Sequence, residues 1–164
     1  MSSTNETKIT KDPAGNKLHV TRDFNAPLPD VWEAWTDSSL LDQWWAPKPW
    51  RAETKSMDFK VGGLWLYSMI GPQGERSYCR VDFQAIETEK SISSVAAFCD
   101  EDGNLTDDFP KMYWKSTFAA TATGTSVLVE IAFDSEADLE KIVQMGFKEG
   151  FTMALGNLDE ILAQ

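Results

Sequence analysis

An alternation of apolar and polar residues from Lys17 to Phe24 predicts a β-strand, because successive side chains of a strand point to opposite faces. After this strand the apolar residues return at helical spacing. We therefore predict two short helices. The first begins near Pro29, and the second is capped by Asp37, Ser38 or Ser39 and is ended by Pro47 and Pro49. Their apolar faces comprise Val31, Trp32, Trp35, Leu40, Leu41, Trp44 and Trp45.

The alternating pattern resumes at Arg51 and continues to Phe133, which predicts a series of strands. Residues 64–70 and 77–87 form the clearest pair, since the intervening Gly-Pro-Gln-Gly at 71–74 suits a tight turn. Short connections of this kind join antiparallel neighbours. Further strands are predicted near 91–99, 112–122 and 126–134.

A broad apolar stripe near the C-terminus predicts one long helix that begins at Glu136 and continues to about residue 163. Ser135 and Asp138 resemble a capping box at its start. The stripe is too broad for a helix that rests on a flat surface. We therefore expect a sheet that curves around this helix.

Gly146 and Gly150 fall one turn apart within the predicted helix. Each glycine in a helix interior costs about 1 kcal/mol relative to alanine, so some feature of the fold must compensate. A close approach of helix and sheet would explain the pair, and so would a gap left for a ligand.

The composition narrows the function. The chain has 164 residues, enough for one domain, and we expect residues 1–8 to be a flexible tail and residues 9–164 to be that domain. The formal net charge of −11 disfavours nucleic acid and anionic membrane surfaces as partners. No apolar run approaches the roughly 20 residues that span a bilayer, and the polar N-terminus does not resemble a secretory signal. We expect a cytoplasmic protein.

Few residues offer hydrolytic, redox or metal chemistry. His19 is the only histidine, and Cys79 and Cys99 stand too far apart for a metal or redox motif, so they are interpreted as small buried apolar residues. The acidic segment 99–108 carries Asp100, Asp102, Asn104 and Asp107 but lacks the spacing of a calcium loop. An Asp102-Gly103 turn explains it more economically. We expect no metal and no cofactor.

Aromatic residues offer a binding site instead, because ligand pockets are lined mainly by apolar and aromatic groups. Most tryptophans in and before the segment LLDQWWAPKPW at 40–50 are expected to pack the short helices onto the sheet, and the proline-rich end of the segment is a candidate pocket rim. Strand aromatics could face methionines and Glu149 of the final helix. A buried Glu149 could serve as an acid or base, but we expect it to face water as one of many solvated charges. Candidate ligand-binding residues are Trp44, Trp45, Trp50, Trp65, Tyr67, Tyr78, Trp114, Met145, Glu149, Gly150 and Met153.

Four segments together resemble a known family: FNAPLPDVWEAWTDSSLLDQWWAP, VGGLWLYSMIGPQG, FCDEDGN and MGFKEGFTMALGNLDEIL. They are similar to homologues of the activator of the ninety-kilodalton heat-shock ATPase, within the START-like (SRPBCC, Bet v-like) superfamily. The resemblance runs from about Lys17 to Leu162. It implies an α+β helix-grip fold, in which a curved seven-stranded antiparallel sheet surrounds the last helix and leaves a cavity.

What the resemblance implies about activity is broader, because related domains bind lipids, sterols, polyketides or hormones, and some are cyclases. We expect first a binder of a small, largely hydrophobic molecule in the cavity beneath the final helix. A chaperone-associated interaction module of the stress response is the alternative, and it would need an exposed apolar patch near Trp50. The residues before Lys17 are too few for the separate N-terminal domain of the eukaryotic co-chaperone, so we expect this chain to lack its ATPase-stimulating role. A cyclase or hydrolase that uses Glu149 with Tyr67 or Tyr78 ranks third.

Overall fold

The computed structural model describes residues 6–106 and 109–163. The strands are β1 (Lys8–Lys11), β2 (Lys17–Phe24), β3 (Arg51–Met57), β4 (Leu64–Ile70), β5 (Arg76–Glu87), β6 (Ser91–Cys99), β7 (Met112–Ala120) and β8 (Thr125–Ala132). The helices are α1 (Leu28–Thr36), α2 (Ser38–Trp44), α3 (Glu136–Gln144) and α4 (Phe147–Leu162). No helix within the described ranges is long and apolar enough to cross a membrane.

The described strands form one antiparallel sheet in the order β1-β2-β8-β7-β6-β5-β4-β3. The sheet has eight strands rather than the expected seven. The additional strand is β1, which pairs with β2 from Lys8 opposite Thr21 to Lys11 opposite Leu18. Lys8 had been assigned to a flexible tail, and residues 1–5 of that tail lie outside the described residues. Four residues are too few for a strand pattern to stand out in the sequence.

The two short helices lie where the sequence predicted them. Asp37 ends α1 and caps α2, and its carboxylate accepts a hydrogen bond of 2.8 Å from the backbone N–H of Ser39. The helices are tied together by the indole N–H of Trp44, which donates to the carbonyl oxygen of Ala34 at 2.9 Å. Trp44 is completely buried, so its ring belongs to the packing between these helices and the sheet.

The C-terminal helix is not continuous, and in this respect the sequence prediction was wrong. The helix breaks between α3 and α4 at Gly146, whose φ of 95° lies in the left-handed region. Glycine has no Cβ to clash in that conformation, which explains why the chain turns at this residue. The start of α3 agrees with the prediction, since the hydroxyl of Ser135 accepts from the backbone N–H of Asp138 at 3.1 Å.

Helix α4 is fastened to the sheet near its C-terminal end. Leu155 and Leu158 are fully buried, and the guanidinium of Arg22 on β2 pairs with the carboxylate of Asp159. Arg22 is only 6% exposed, so losing its partner would leave a buried, unpaired charge. A second tie joins α4 to the chain after α2, where the buried amide of Asn157 donates to the carbonyl oxygen of Ala46 at 3.2 Å.

Two glycines, one close to neighbouring backbone and one in open space, allow a matched test of the described backbone. A Cβ at Gly124 would lie 2.1 Å from the carbonyl oxygen of Phe24, whereas a Cβ at Gly156 in α4 would meet nothing within 4 Å. We expect Gly124→Ala to lower the free energy of unfolding by about 2 kcal/mol, because backbone must move. Gly156→Ala should raise it by up to about 1 kcal/mol through helix propensity. Urea unfolding of both variants is the measurement, and equal stability of the two would contradict the described backbone.

Candidate ligand-binding cavity

A cavity of about 280 Å³ lies between the inner face of the sheet and the helices. The wall is mainly apolar and draws on strands β3 to β7, all four helices and the segment after α2. The lining residues are Trp35, Leu41, Trp45, Pro47, Met57, Trp65, Tyr67, Met69, Cys79, Val81, Phe83, Ile92, Ser94, Ala96, Ala97, Phe98, Met112, Trp114, Ser116, Ile142, Met145, Gly146, Phe147, Gly150 and Phe151.

Small residues at the centre of the sheet create the space. Ser94 and Ala96 on β6 and Ser116 on β7 line the cavity, while larger side chains flank them in the register. Ser94, for example, pairs with Phe83 on one side and with Trp114 on the other. The absence of a side chain at Gly150 adds room from the helix side, because the nearest atom to a Cβ there would be Cγ of Pro47 at 3.6 Å.

Trp45 is the centre of the aromatic wall. Its ring packs at steep angles against Trp35, Trp65 and Phe151, with centroid distances of 5.9, 5.6 and 6.0 Å. Edge contacts of this kind are favourable between aromatic rings and resist sliding. The wall is therefore a preformed surface rather than a set of independent side chains.

The polar groups of the wall are few and largely neutral. The indole N–H of Trp45 donates to the hydroxyl oxygen of Tyr67 at 2.9 Å. Burial raises the pKa of Tyr67 well above its usual range and raises the pKa of the Cys79 thiol to about 12. Both groups therefore stay protonated at neutral pH. Among the described lining residues there is no lysine, arginine, histidine, aspartate or glutamate.

A family model described as "Activator of Hsp90 ATPase homolog 1-like protein" matches residues 25–163. The chain belongs to this family. The match confirms the family resemblance found in the four sequence segments. A comparison with curated proteins returned no match.

Solved structures show the same fold as this family member. Protein Ms6760 from Mycobacterium smegmatis is 29% identical, with a TM-score of 0.87 over 95% of this chain and 96% of the other. A protein from Arthrobacter aurescens is 28% identical, with a TM-score of 0.89 over 95% and 91%. A protein from Staphylococcus epidermidis is 25% identical, with a TM-score of 0.84 over 96% and 94%. The helix-grip fold expected from the sequence is thus confirmed.

Only some of the candidate ligand-binding residues of this chain line the cavity. The candidates that line the cavity are Trp45, Trp65, Tyr67, Trp114, Met145 and Gly150. The candidates that do not line it are Trp44, Trp50, Tyr78, Glu149 and Met153. The second group shows that being aromatic, or lying on the final helix, is not enough to place a residue in the cavity wall.

Each misplaced candidate has a physical reason. Trp44 is directed toward α1 by its bond to Ala34, and half-buried Trp50 follows the turn after α2 without reaching the cavity. Tyr78 neighbours the inward-facing Cys79 on β5, so it points to the opposite face. Glu149 and Met153 lie on the exposed side of α4. A solvated Glu149 does not supply the buried acid or base of the enzyme hypothesis.

Sequence reasoning missed several wall residues. Ser94 and Ser116 had no role in the predicted site, and Phe147 and Phe151 were counted only as part of the apolar stripe of the last helix. A signal for the serines was present, because Ser94 alternates with Ile92 and Ala96 on the inward face of β6. Small and polar residues within an otherwise apolar strand face indicate a gap in packing.

The acidic loop after β6 is occupied by its own hydrogen bonds. The Asp100 carboxylate accepts from the backbone N–H groups of Asp102 and Asn104 at 2.9 and 2.8 Å, and Gly103 adopts a φ of 89°. This agrees with the turn predicted from the sequence, while Asp107 lies outside the described residues. Across residues 6–106 and 109–163 there is no cluster of three or more side chains suited to a metal ion.

The raised pKa of Cys79 predicts alkaline sensitivity. The unfolded thiol ionises near its ordinary value of 9.0, while the folded thiol holds its proton to about 12. The stability that the protonated thiol contributes is therefore complete below about pH 9 and is lost as the pH rises toward 12, at up to about 1.4 kcal/mol per pH unit. Cys79→Ala should lose less stability than wild type between about pH 7 and about pH 10.5 in urea unfolding. Equal losses would contradict the assigned burial of this thiol.

Proposed function

We propose that this chain binds a small, largely hydrophobic molecule in the cavity between the sheet and the C-terminal helices. The supporting observation is a mainly apolar cavity, rich in aromatic residues, without charged side chains in its described wall. Such a cavity lowers the stability of the ligand-free fold, since its lining atoms lack packing partners. A ligand of matching shape would restore those contacts.

The volume limits the size of the ligand. An apolar cavity of about 150 Å³ accommodates benzene. The 280 Å³ available here therefore suits a molecule of about two fused rings or a comparable aliphatic body. Met145 lines the cavity and is also 48% exposed, which marks an opening to solvent beside the break between α3 and α4. We propose entry at that point.

Filling the cavity from the helix side should abolish binding. Gly150 lines the cavity, and a Cβ at this position would make only an ordinary van der Waals contact with the ring of Pro47. In Gly150→Trp the indole would therefore fit and would fill cavity space. The measurement is an amide NMR titration of labelled protein against fatty acids, sterols and flat aromatics. In wild type we expect shifts in α4 and around Trp45, and in the variant we expect none at the same concentrations.

Gly156→Trp is the matched control, because it adds the same side chain to the same helix at a glycine that does not line the cavity. It should retain the wild-type titration. Circular dichroism and a dispersed amide spectrum establish that both variants are folded. Undiminished binding by a folded Gly150→Trp variant would show that the ligand site lies elsewhere.

The alternative is an interaction module that contacts a heat-shock chaperone, as the description of the family suggests. Among described residues, the exposed large apolar side chains are Val61, Leu105, Tyr113, Met145 and Met153, which lie on separate loops, a strand and the helices. Because these side chains are scattered, they support a chaperone-binding patch less well than the cavity supports a ligand site. Failure of a purified heat-shock ATPase to shift any amide signal would exclude it. The cytoplasmic location stays a prediction.

A further inference from the structure

Four polar groups around the cavity lack hydrogen-bond partners. Within residues 6–106 and 109–163, the indole N–H groups of Trp35 and Trp114 are buried without a hydrogen-bond partner. The hydroxyls of Ser94 and Ser116 face the cavity and make no side-chain hydrogen bond within the same residues. All four residues line the cavity and are at least nine-tenths buried, with exposures of 7, 8, 9 and 5%. Buried polar groups in folded proteins are nearly always paired, so the two indole N–H groups show that hydrogen-bond acceptors are missing beside the cavity.

The neighbouring tryptophans show the contrast. Trp44, Trp45 and Trp65 donate their indole N–H groups to Ala34, Tyr67 and Thr54, respectively, at 2.9, 2.9 and 3.0 Å. The fold thus provides acceptors for the indoles on the α2 and β4 side of the cavity. It provides none for Trp114 on β7 or for Trp35 on α1.

Three of the unpartnered groups belong to one patch of the sheet. Ser94 on β6 lies directly opposite Trp114 on β7, and Ser116 follows two residues later on β7. The three side chains share the inward face, because alternate residues of a strand point the same way and directly paired residues lie side by side. Directly opposite positions have Cβ atoms about 5 Å apart, and diagonal positions about 7 Å. One small functional group of a ligand could therefore reach both hydroxyls.

We propose that the ligand is an uncharged molecule whose apolar body contacts the aromatic wall and whose single hydrogen-bonding group, such as a carbonyl, binds the hydroxyls of Ser94 and Ser116. This inference rests on the proposed function and specifies its ligand class. A carbonyl oxygen accepts two hydrogen bonds, which matches two hydroxyl donors. The body of the ligand would lie toward Trp45 and Phe151.

The charge of the wall argues against ionic ligands. A buried carboxylate needs a cationic partner, and the described wall contains none, while the chain as a whole carries a net charge of −11. A cation would need open aromatic faces. Here one face of Trp65 is covered by Tyr67 at 4.2 Å and one face of Phe147 by Phe151 at 5.5 Å, which leaves fewer aromatic faces for a cation.

Three probes of nearly identical shape test the proposal. 2-Acetylnaphthalene carries a carbonyl, 2-isopropenylnaphthalene replaces its oxygen with a methylene group, and naphthalene-2-carboxylate is an anion at neutral pH. Their dissociation constants can be measured by quenching of tryptophan fluorescence and confirmed by the amide titration. We expect the ketone to bind about tenfold more tightly than the hydrocarbon, and the carboxylate to bind most weakly.

Serine variants test whether the preference for the ketone depends on the two hydroxyls. In the double variant Ser94→Ala with Ser116→Ala, the hydrocarbon should bind as in wild type, and the ketone should lose most of its tenfold advantage. Ser93→Ala is the matched control, because Ser93 lies on the same strand with its side chain on the opposite face. It should leave all three dissociation constants unchanged.

The outcomes distinguish the two proposals. Equal binding of ketone and hydrocarbon, or a ketone advantage that survives in the double variant, would overturn the inference while the cavity remains a ligand site. Tightest binding by the carboxylate would overturn it in the same way. No binding of any probe would count against the cavity function itself, and the inference would fall with it.

Discussion

The attachment of α4 to the inner face of the sheet is the constraint on which the rest of the structure depends. Leu155 and Leu158 supply the buried apolar contact, and the Arg22–Asp159 pair fixes the helix in rotation and along its axis. Both act near the C-terminal end of α4. The other end begins at Gly146, where the left-handed turn lets α3 change direction. A helix held at one end and redirected at the other leaves space beneath its first turns.

That space is a consequence of residue size on both sides. The sheet presents Ser94, Ala96 and Ser116 where larger residues would meet the helix, and the helix presents Gly150. The surrounding aromatics contact one another and so do not collapse into the gap. The ligand proposed above is small and neutral because the wall is apolar and carries no charge among its described residues, whereas a polar wall would fill with water.

Local patterns predicted the secondary structure of most of the chain because its helices and strands follow the elementary periodicities. Ser135 caps α3 as expected, and Asp37, one of three candidates, caps α2. Alternation placed Trp65 and Tyr67 on one face of β4, and the structure shows that this face lines the cavity. Two features escaped this reasoning. Strand β1 is too short to show a pattern, and Gly146 could have been tolerated inside a helix as readily as it ends one. Only its backbone conformation distinguishes the two cases.

The sequence by itself determined the fold class, the family, the apolar character of the candidate site and the absence of charge on strand faces such as that of β4. The tertiary structure alone decided which residues surround the cavity. Trp44 and Trp45 are adjacent in the chain, yet Trp44 bonds to Ala34 within the core and Trp45 bonds to Tyr67 on the cavity wall. Ser94 and Ser116 are far apart in the sequence, and only the β6–β7 register places them close together on the cavity face. The reason is physical: periodicity assigns a side chain to a face, but the partners on that face come from segments distant in sequence.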